Sequence, residues 1–303
     1  MSTGAHGNRP TRNQQREAAR AKAKELREQQ NKSDKRRKLF IQGGVAVAVI
    51  AVAALFISTL ATSAPKEGPR PANMASDGIV LSGANMAGVL SEAGSPGADP
   101  VATIPMPGSS TVSIEVYQDY ICPACKAFDE ANAEQLQTLV EAGAATLEIH
   151  PIGMLANQSA GTKYSLRSTA AAACVANYSP DTFWKVNQAL FANQPQEGTP
   201  GLNDDEITAL IDAQKPKNQS KIDKCIKDKT FMPWASQATD YALAGPMAEA
   251  AKQTGAAGVG TPTIFVNGKA YTGSIVDPKE FLAFITQVAG ESASTTPATP
   301  AAG

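Results

Sequence analysis

The strongest constraint on the fold of this chain is the sequence Cys122-Pro123-Ala124-Cys125. The run from Thr111 to Tyr117 before it alternates like a strand, and the run from Pro123 to Ala142 has the apolar spacing of a helix. A thiol at a helix N-terminus lies near the positive end of the helix dipole and near unpaired N–H groups, which stabilise its thiolate. Because the thiolate is the form that attacks disulfides, the motif predicts a redox pair with Cys122 as the nucleophile.

Half of a zinc site, or an inert pair of cysteines, is the alternative interpretation of the motif. Zinc requires four ligands. Outside the motif, the cysteines and histidines of the chain are few and distant in sequence: Cys174, Cys225, His6 and His150. The pattern therefore favours thiol redox chemistry, with no metal and no cofactor.

The net charge of −1 conceals a strongly basic N-terminus. Residues 1–38 carry 12 Lys/Arg against 4 Asp/Glu, and the uncharged apolar residues 39–61 follow them. As a helix, those residues would span about 34 Å, enough to cross a ~30 Å hydrocarbon core. Since basic flanks stay in the cytoplasm, we expect a cytoplasmic tail (1–38), a single transmembrane helix (39–61) and an extracytoplasmic C-terminal part. No aromatic residue interleaves the basic tail, which argues against nucleic-acid binding.

A cleaved signal peptide is the alternative for the apolar segment. Ala61-Thr62-Ser63 is a passable small-residue cleavage site. However, the apolar stretch exceeds the usual length of about 7–15 residues, and the basic region before it is long. The pattern favours an uncleaved anchor.

The remainder of the chain predicts one globular domain over residues 76–290. A linker rich in Pro, Gly, Ala and Ser (62–75) precedes it, and a tail poor in hydrophobic residues (291–303) that we expect to be disordered follows it. The predicted order is a βαβ unit, a helical insert over about 157–256, and then two strands and a helix. Asn267-Gly268 predicts the tight turn between the last two strands, and Asp277 predicts the cap of the last helix.

This order of elements, with Cys-x-x-Cys at the first strand–helix junction, resembles the thioredoxin fold. The resemblance is sharpest at Gly260-Thr261-Pro262-Thr263, because proteins of that fold carry a cis-proline facing the cysteine pair. Pro262 fits that position, and a cis bond there would leave the Thr261 backbone free to pair with an extended substrate segment. The alternative is that Pro262 simply begins a strand.

The helical insert narrows the resemblance to DsbA-like thiol:disulfide oxidoreductases, of the membrane-anchored type found in Gram-positive bacteria and actinobacteria. The resemblance implies an extracytoplasmic enzyme that introduces disulfides into reduced secreted or cell-envelope proteins. Cys125 would be the buried partner of Cys122, and Pro123 and Ala124 would form part of the active-site wall. A quinone-linked membrane protein, DsbB-like or of the vitamin-K-epoxide-reductase kind, would reoxidise the pair.

The chain departs from the family pattern at two points. Family members often have Pro-His between the cysteines, and Ala124 cannot stabilise a thiolate by charge or hydrogen bonding, so we expect a less acidic thiol and a milder oxidant. The family often has a buried carboxylate that shuttles a proton beneath the second cysteine. Asp119 and, less well, Glu115 are the candidates, although neither has the usual spacing and both could be solvated charges at the strand end.

Three further interpretations stay open at this stage. In an oxidising compartment the even cysteine count predicts a structural disulfide between Cys174 and Cys225, unless this pair relays oxidation. The same motif also serves disulfide reductases and isomerases. A non-catalytic surface module of this fold is the remaining alternative.

Overall fold

The structure is a computed structural model that describes residues 68–103 and 111–294. The predicted tail (1–38) and transmembrane helix (39–61) lie outside these residues. Within the described ranges, no helix has both the length and the apolar character needed to cross a membrane.

A six-stranded mixed sheet in the order β2-β1-β4-β3-β5-β6 lies at the centre of the fold. Its strands are β1 (Ile79–Ser82), β2 (Ala87–Gly88), β3 (Val112–Gln118), β4 (Ala145–Pro151), β5 (Thr263–Val266) and β6 (Lys269–Ala270). Strands β3 and β4 are parallel, with Ile114 opposite Leu147, and helix α1 (Pro123–Glu141) connects them. The predicted βαβ unit is therefore present.

The C-terminal ββα unit forms for local reasons that the sequence predicts. Asn267 and Gly268 both have positive φ, at 47° and 77°, which is the geometry of a two-residue hairpin turn. Helix α8 (Pro278–Ser294) follows, and the Asp277 carboxylate accepts the N–H groups of Lys279 and Glu280 at 2.9 and 3.2 Å. The helix begins where a cap and an N1 proline predict.

Helices occupy the predicted insert between β4 and β5. They are α2 (Tyr164–Tyr178), α3 (Phe183–Ala192), α4 (Asp204–Asp212), α5 (Gln219–Lys227), α6 (Met232–Ala244) and α7 (Pro246–Thr254), with short 3₁₀ turns at Ala156–Gln158 and Pro180–Thr182. Gly245 and Pro246 separate α6 from α7, because a proline cannot continue the hydrogen-bond pattern of the preceding helix.

The N-terminal boundary of the domain also needs correction. The predicted linker (62–75) is already packed against the domain from Gly68 onward. Arg70 forms a buried 2.5 Å ion pair with Asp77, and Asp77 also accepts the indole N–H of Trp234 at 2.7 Å. The Asp77 carboxylate thus has one partner in the early segment and one in helix α6. No local pattern predicts this contact, because the two parts are distant in the chain.

The C-terminal boundary differs as well. Helix α8 continues to Ser294, so the predicted tail (291–303) begins within the helix.

The large hydrophobic core lies on one face of the sheet and continues into the helical insert. It includes Ile114 and Val116 from β3, Phe128 from α1 and Phe281 from α8. A smaller cluster, which includes Tyr117, Met247 and Phe265, packs α6 and α7 against the opposite face. Both cysteines of the motif belong to the large core cluster.

Candidate active site

Cys122 is the N-cap residue of α1, directly after the turn that ends β3. Its backbone is extended, with φ −74° and ψ 118°, and Pro123 occupies the first helical position. The residue is only 6% exposed. A hydrogen bond from the Cys125 thiol, aided by one from the Thr261 side chain and by the N–H groups of Ala124 and Cys125, lowers the pKa of Cys122 to about 6. Most of this thiol is therefore ionised at neutral pH.

Cys125 lies one turn into α1 and is 1% exposed. Burial, followed by its hydrogen bond to Cys122, raises the pKa of this thiol well above its ordinary value. The two thiols are not joined in this structure, which represents the reduced form. The pair thus combines one acidic sulfur with one that keeps its proton, as a nucleophile and its buried partner require.

Thr261 and Pro262 form a wall beside the thiols, and the peptide bond between them is cis. The Cys122 sulfur lies 3.4 Å from the Thr261 carbonyl oxygen and donates to it when protonated. Both wall residues are half-buried, Ala124 is half-buried and Pro123 is exposed. The structure therefore brings the wall residues named from sequence to the cysteine pair.

A groove of about 350 Å³ extends from this wall. Its lining includes Ala124, Met247, Val259, Thr261, Pro262 and Tyr271, and no charged side chain contributes to it. The groove adjoins the redox pair through Ala124, Thr261 and Pro262, and it can accept an uncharged segment of chain.

Asp119 is fully buried beneath the motif. Its backbone N–H donates to the Cys125 sulfur at 3.4 Å. Its carboxylate accepts the N–H groups of Ile121 at 3.1 Å and Leu155 at 2.8 Å and the hydroxyl of Ser165. Burial raises the pKa of Asp119, and these three donors oppose that effect. The carboxylate secures the turn that carries the cysteines, and the proton-shuttle role stays a prediction.

Glu115 lies on the other face of the sheet from the redox pair. Side chains alternate along a strand, so Glu115 shares a face with Tyr117, whereas Ile114 and Val116 pack in the cluster that contains the cysteines. Glu115 lines a separate cavity of about 250 Å³ with Glu148 and His150. Burial raises its pKa, but among the described residues no contact joins it to either cysteine. Its position argues against a proton-shuttle role.

The second cysteine pair is remote from this site. Cys174 in α2 and Cys225 in α5 form a disulfide with their Cα atoms 5.9 Å apart. Both cysteines are buried, with exposed fractions of 1% and 4%. The bond joins two helices of the insert away from the redox pair, which suits a structural disulfide better than a relay.

Several contacts at the site escape prediction from sequence. The amide of Gln194, in the loop after α3, donates to the Cys122 carbonyl at 2.9 Å, 72 residues away in sequence. Ser165 and Leu155 hold Asp119 from 46 and 36 residues away. No motif or periodicity marks these partners, because only the packing of the insert brings them to the active site. Within the described ranges, no cluster of three or more Cys, His, Asp or Glu side chains could hold a metal.

Comparison with known families gives a match over most of the domain. The model of the family described as thioredoxin matches residues 108–287, more than half of the chain. Over 125 residues, or 40% of this chain, the serine/threonine-protein kinase PknE of Mycobacterium tuberculosis is 31% identical. The matched part spans only 22% of the kinase, so the kinase's name carries no activity to this chain.

Solved structures of the same fold include three bacterial proteins. DsbA of Mycobacterium tuberculosis is 22% identical, with a TM-score of 0.52, over 73% of this chain and 99% of that one. The disulfide bond oxidoreductase DsbG of the same organism is 25% identical, with a TM-score of 0.50, over 65% and 90%. BdbD of Bacillus subtilis is 18% identical, with a TM-score of 0.51, over 74% and 97%. In each case most of the compared protein is matched, so the helical insert is part of the shared fold.

Proposed function

Because this chain belongs to the thioredoxin family and has the fold of the DsbA-like thiol–disulfide oxidoreductases, we propose that it introduces disulfides into reduced secreted or cell-envelope proteins. The observation that carries this proposal is the unequal cysteine pair, with an acidic Cys122 beside the Thr261 carbonyl and a buried, protonated Cys125 one turn of helix away.

The exchange proceeds in two steps. A substrate thiolate attacks the Cys122 sulfur of the Cys122–Cys125 disulfide, the S–S bond breaks, and Cys125 leaves with the electron pair and takes a proton. A second substrate thiolate then attacks the substrate sulfur of the mixed disulfide and releases the Cys122 thiolate. The substrate dithiol loses two electrons and two protons. The enzyme pair gains the two electrons and one proton, which Cys125 takes, and the second proton goes to solvent.

The acidity of Cys122 supports the oxidising direction. A sulfur with a pKa of about 6 is a good leaving group in the second step. Its stable thiolate also favours the reduced enzyme at equilibrium, which makes the oxidised form a stronger oxidant. Ala124 supplies none of the stabilisation that a histidine would, so we expect a reduction potential between the thioredoxin and DsbA values of about −270 and −120 mV.

The proposed location is extracytoplasmic, with the apolar residues 39–61 as the anchor and residues 1–38 in the cytoplasm. The Cys174–Cys225 disulfide supports this, because such bonds persist in oxidising compartments. A continuing oxidase requires an electron acceptor, and we propose a quinone-linked membrane protein for that role. The groove at the Thr261–Pro262 wall supports an extended polypeptide as the substrate.

The test is oxidation of a reduced, unfolded model protein by the full chain in detergent. We expect Cys122→Ser to reduce the rate to that of the uncatalysed reaction, because Ser cannot form the mixed disulfide. The matched control is the Cys174→Ala/Cys225→Ala double variant, which removes two cysteines away from the site and should retain activity. An active Cys122→Ser variant would exclude the proposal and favour a non-catalytic surface module.

A disulfide reductase or isomerase is the second candidate, supported by the buried Cys125 thiol, which can resolve a mixed disulfide in the reverse direction. Equilibration of the Cys122–Cys125 pair with glutathione separates the two. A potential near or below that of thioredoxin, at about −270 mV, would assign the chain to the reductases.

A further inference from the structure

The helical insert contacts the main chain of the nucleophilic cysteine directly. Gln194 follows α3, and its side-chain amide donates to the Cys122 carbonyl oxygen at 2.9 Å. The same oxygen accepts the N–H of Lys126 at 3.2 Å, the first hydrogen bond of α1. The Cys122 carbonyl oxygen thus accepts two hydrogen bonds, one from the first turn of the active-site helix and one from a side chain in a distant loop.

Gln194 is itself well placed to hold this carbonyl. Its own N–H donates to the Phe191 carbonyl at 3.1 Å, which ties it to the end of α3, and its side chain is half-buried. Two long-range contacts thus reach Cys122. Its carbonyl accepts the Gln194 amide, and its sulfur lies 3.4 Å from the Thr261 carbonyl oxygen, to which it donates only when protonated.

We propose that Gln194 is a positioning residue, which holds the Cys122 main chain and the first turn of α1 in the orientation that thiol–disulfide exchange requires. The inference rests on the proposed function, since Cys122 must be the attacking thiol. Its physical basis is that the N–H groups of Ala124 and Cys125, in that first turn, help to lower the pKa of Cys122. A turn that is no longer held would aim these donors less well at the sulfur.

Two variants test the contact. Gln194→Ala removes the donor without adding charge, and Gln194→Glu keeps the shape but replaces the donor with an acceptor. The control is Gln196→Glu, which adds the same charge at an exposed position two residues away whose side chain makes none of the hydrogen bonds described for Gln194. The readout is the pH profile of Cys122 alkylation by iodoacetamide, followed by mass spectrometry on the reduced full chain in detergent.

We expect the Gln194 variants to alkylate Cys122 about 2- to 10-fold more slowly at pH 6, the range that the loss of one neutral hydrogen bond covers. Gln194→Glu should show the larger effect, and Gln196→Glu should follow the parent protein. Superimposable profiles for the parent and both Gln194 variants would overturn the inference, even if the variants melted at a lower temperature, because that pattern indicates a purely structural contact.

The test separates this inference from the function on which it rests. Cys122→Ser, assayed for oxidase activity beside these variants, should be inactive. If it is inactive while the Gln194 variants behave like the parent protein, only the positioning role fails. If it is active, the proposed function fails.

Discussion

At the scale of the residue, the defining feature of the site is that two chemically identical cysteine side chains have very different environments. Cys122 receives hydrogen bonds at its sulfur, and Cys125 is enclosed by the core. Only two residues of sequence lie between them, yet the pKa of the first falls and that of the second rises. This contrast assigns the roles of nucleophile and buried partner more firmly than the motif does.

The Cys122 pKa predicts how the stability of the reduced protein depends on pH. The folded pKa, about 6, is below the value of about 8.5 expected for an unfolded cysteine. The unfolded state therefore binds more protons between these values, and the reduced protein should gain stability as pH rises from 6 to 8 and lose it as pH falls. Above about pH 8.5 the raised pKa of Cys125 opposes this gain.

The measurement is urea unfolding of the reduced protein and of Cys122→Ser at pH 5, 6, 7 and 8. The difference between their free energies of unfolding should rise by up to about 1.4 kcal/mol per pH unit within the window. Other titrating groups, such as Asp129 with its pKa raised by burial to about 6, act equally on both proteins and cancel. A difference that is constant with pH would contradict the acidity assigned to Cys122.

At the scale of the element, the turn between β3 and α1 depends on the insert for its shape. Asp119 links the turn to α2 through Ser165 and to the segment after β4 through Leu155. The carboxylate is fully buried, and its three donors would each lose a partner if it were removed. This contact therefore stabilises the helical insert and the active-site turn together.

Asp119→Asn tests the two roles considered for this carboxylate. The amide turns one N–H₂ group toward donors, so we expect the oxidised protein to lose roughly 1–3 kcal/mol of unfolding free energy, the cost of an unsatisfied buried polar group. Ser165→Ala should cost less, since it removes one donor of three. If Asp119→Asn leaves stability unchanged but alters the pH dependence of the exchange rate, the residue is a proton shuttle instead.

The elements that follow from local sequence are those with local causes. Asn267-Gly268 turns the chain because both residues tolerate positive φ, and Asp277 with Pro278 begins α8 because a carboxylate there can cap the first turn. The cysteine motif and Thr261-Pro262 likewise stand out as short patterns. In contrast, the contacts of Gln194 and Ser165 exist only after the insert has packed, so no spacing in the sequence encodes them.

At the scale of the whole molecule, an ion pair, a hydrogen bond and a disulfide join segments that are distant in sequence to the helical insert or within it. The Arg70–Asp77 pair meets Trp234 of α6, and the Cys174–Cys225 disulfide joins α2 to α5. The early segment resembles a linker in composition, yet its buried arginine makes it part of the core. Composition alone fails there because it does not show that Arg70 is buried against Asp77.

The disulfide should contribute stability without affecting the redox chemistry. A sequence separation of 51 residues corresponds to about 4 kcal/mol in the chain-entropy treatment of disulfides. We expect the Cys174→Ala/Cys225→Ala double variant to unfold at a lower urea concentration, and the reduction potential of the Cys122–Cys125 pair to stay the same. A large fall in oxidase turnover with little loss of stability would instead identify Cys174 and Cys225 as a relay.

The small exposed fraction of Cys122, 6%, has a consequence for timing. A thiol with so little exposed surface is more accessible to a thin, unfolded stretch of client chain than to a cysteine fixed on a folded surface. Under the proposed function, each client can be oxidised only between its emergence from the membrane and the closure of its own core. We therefore expect slow-folding clients to be oxidised more completely than fast-folding ones.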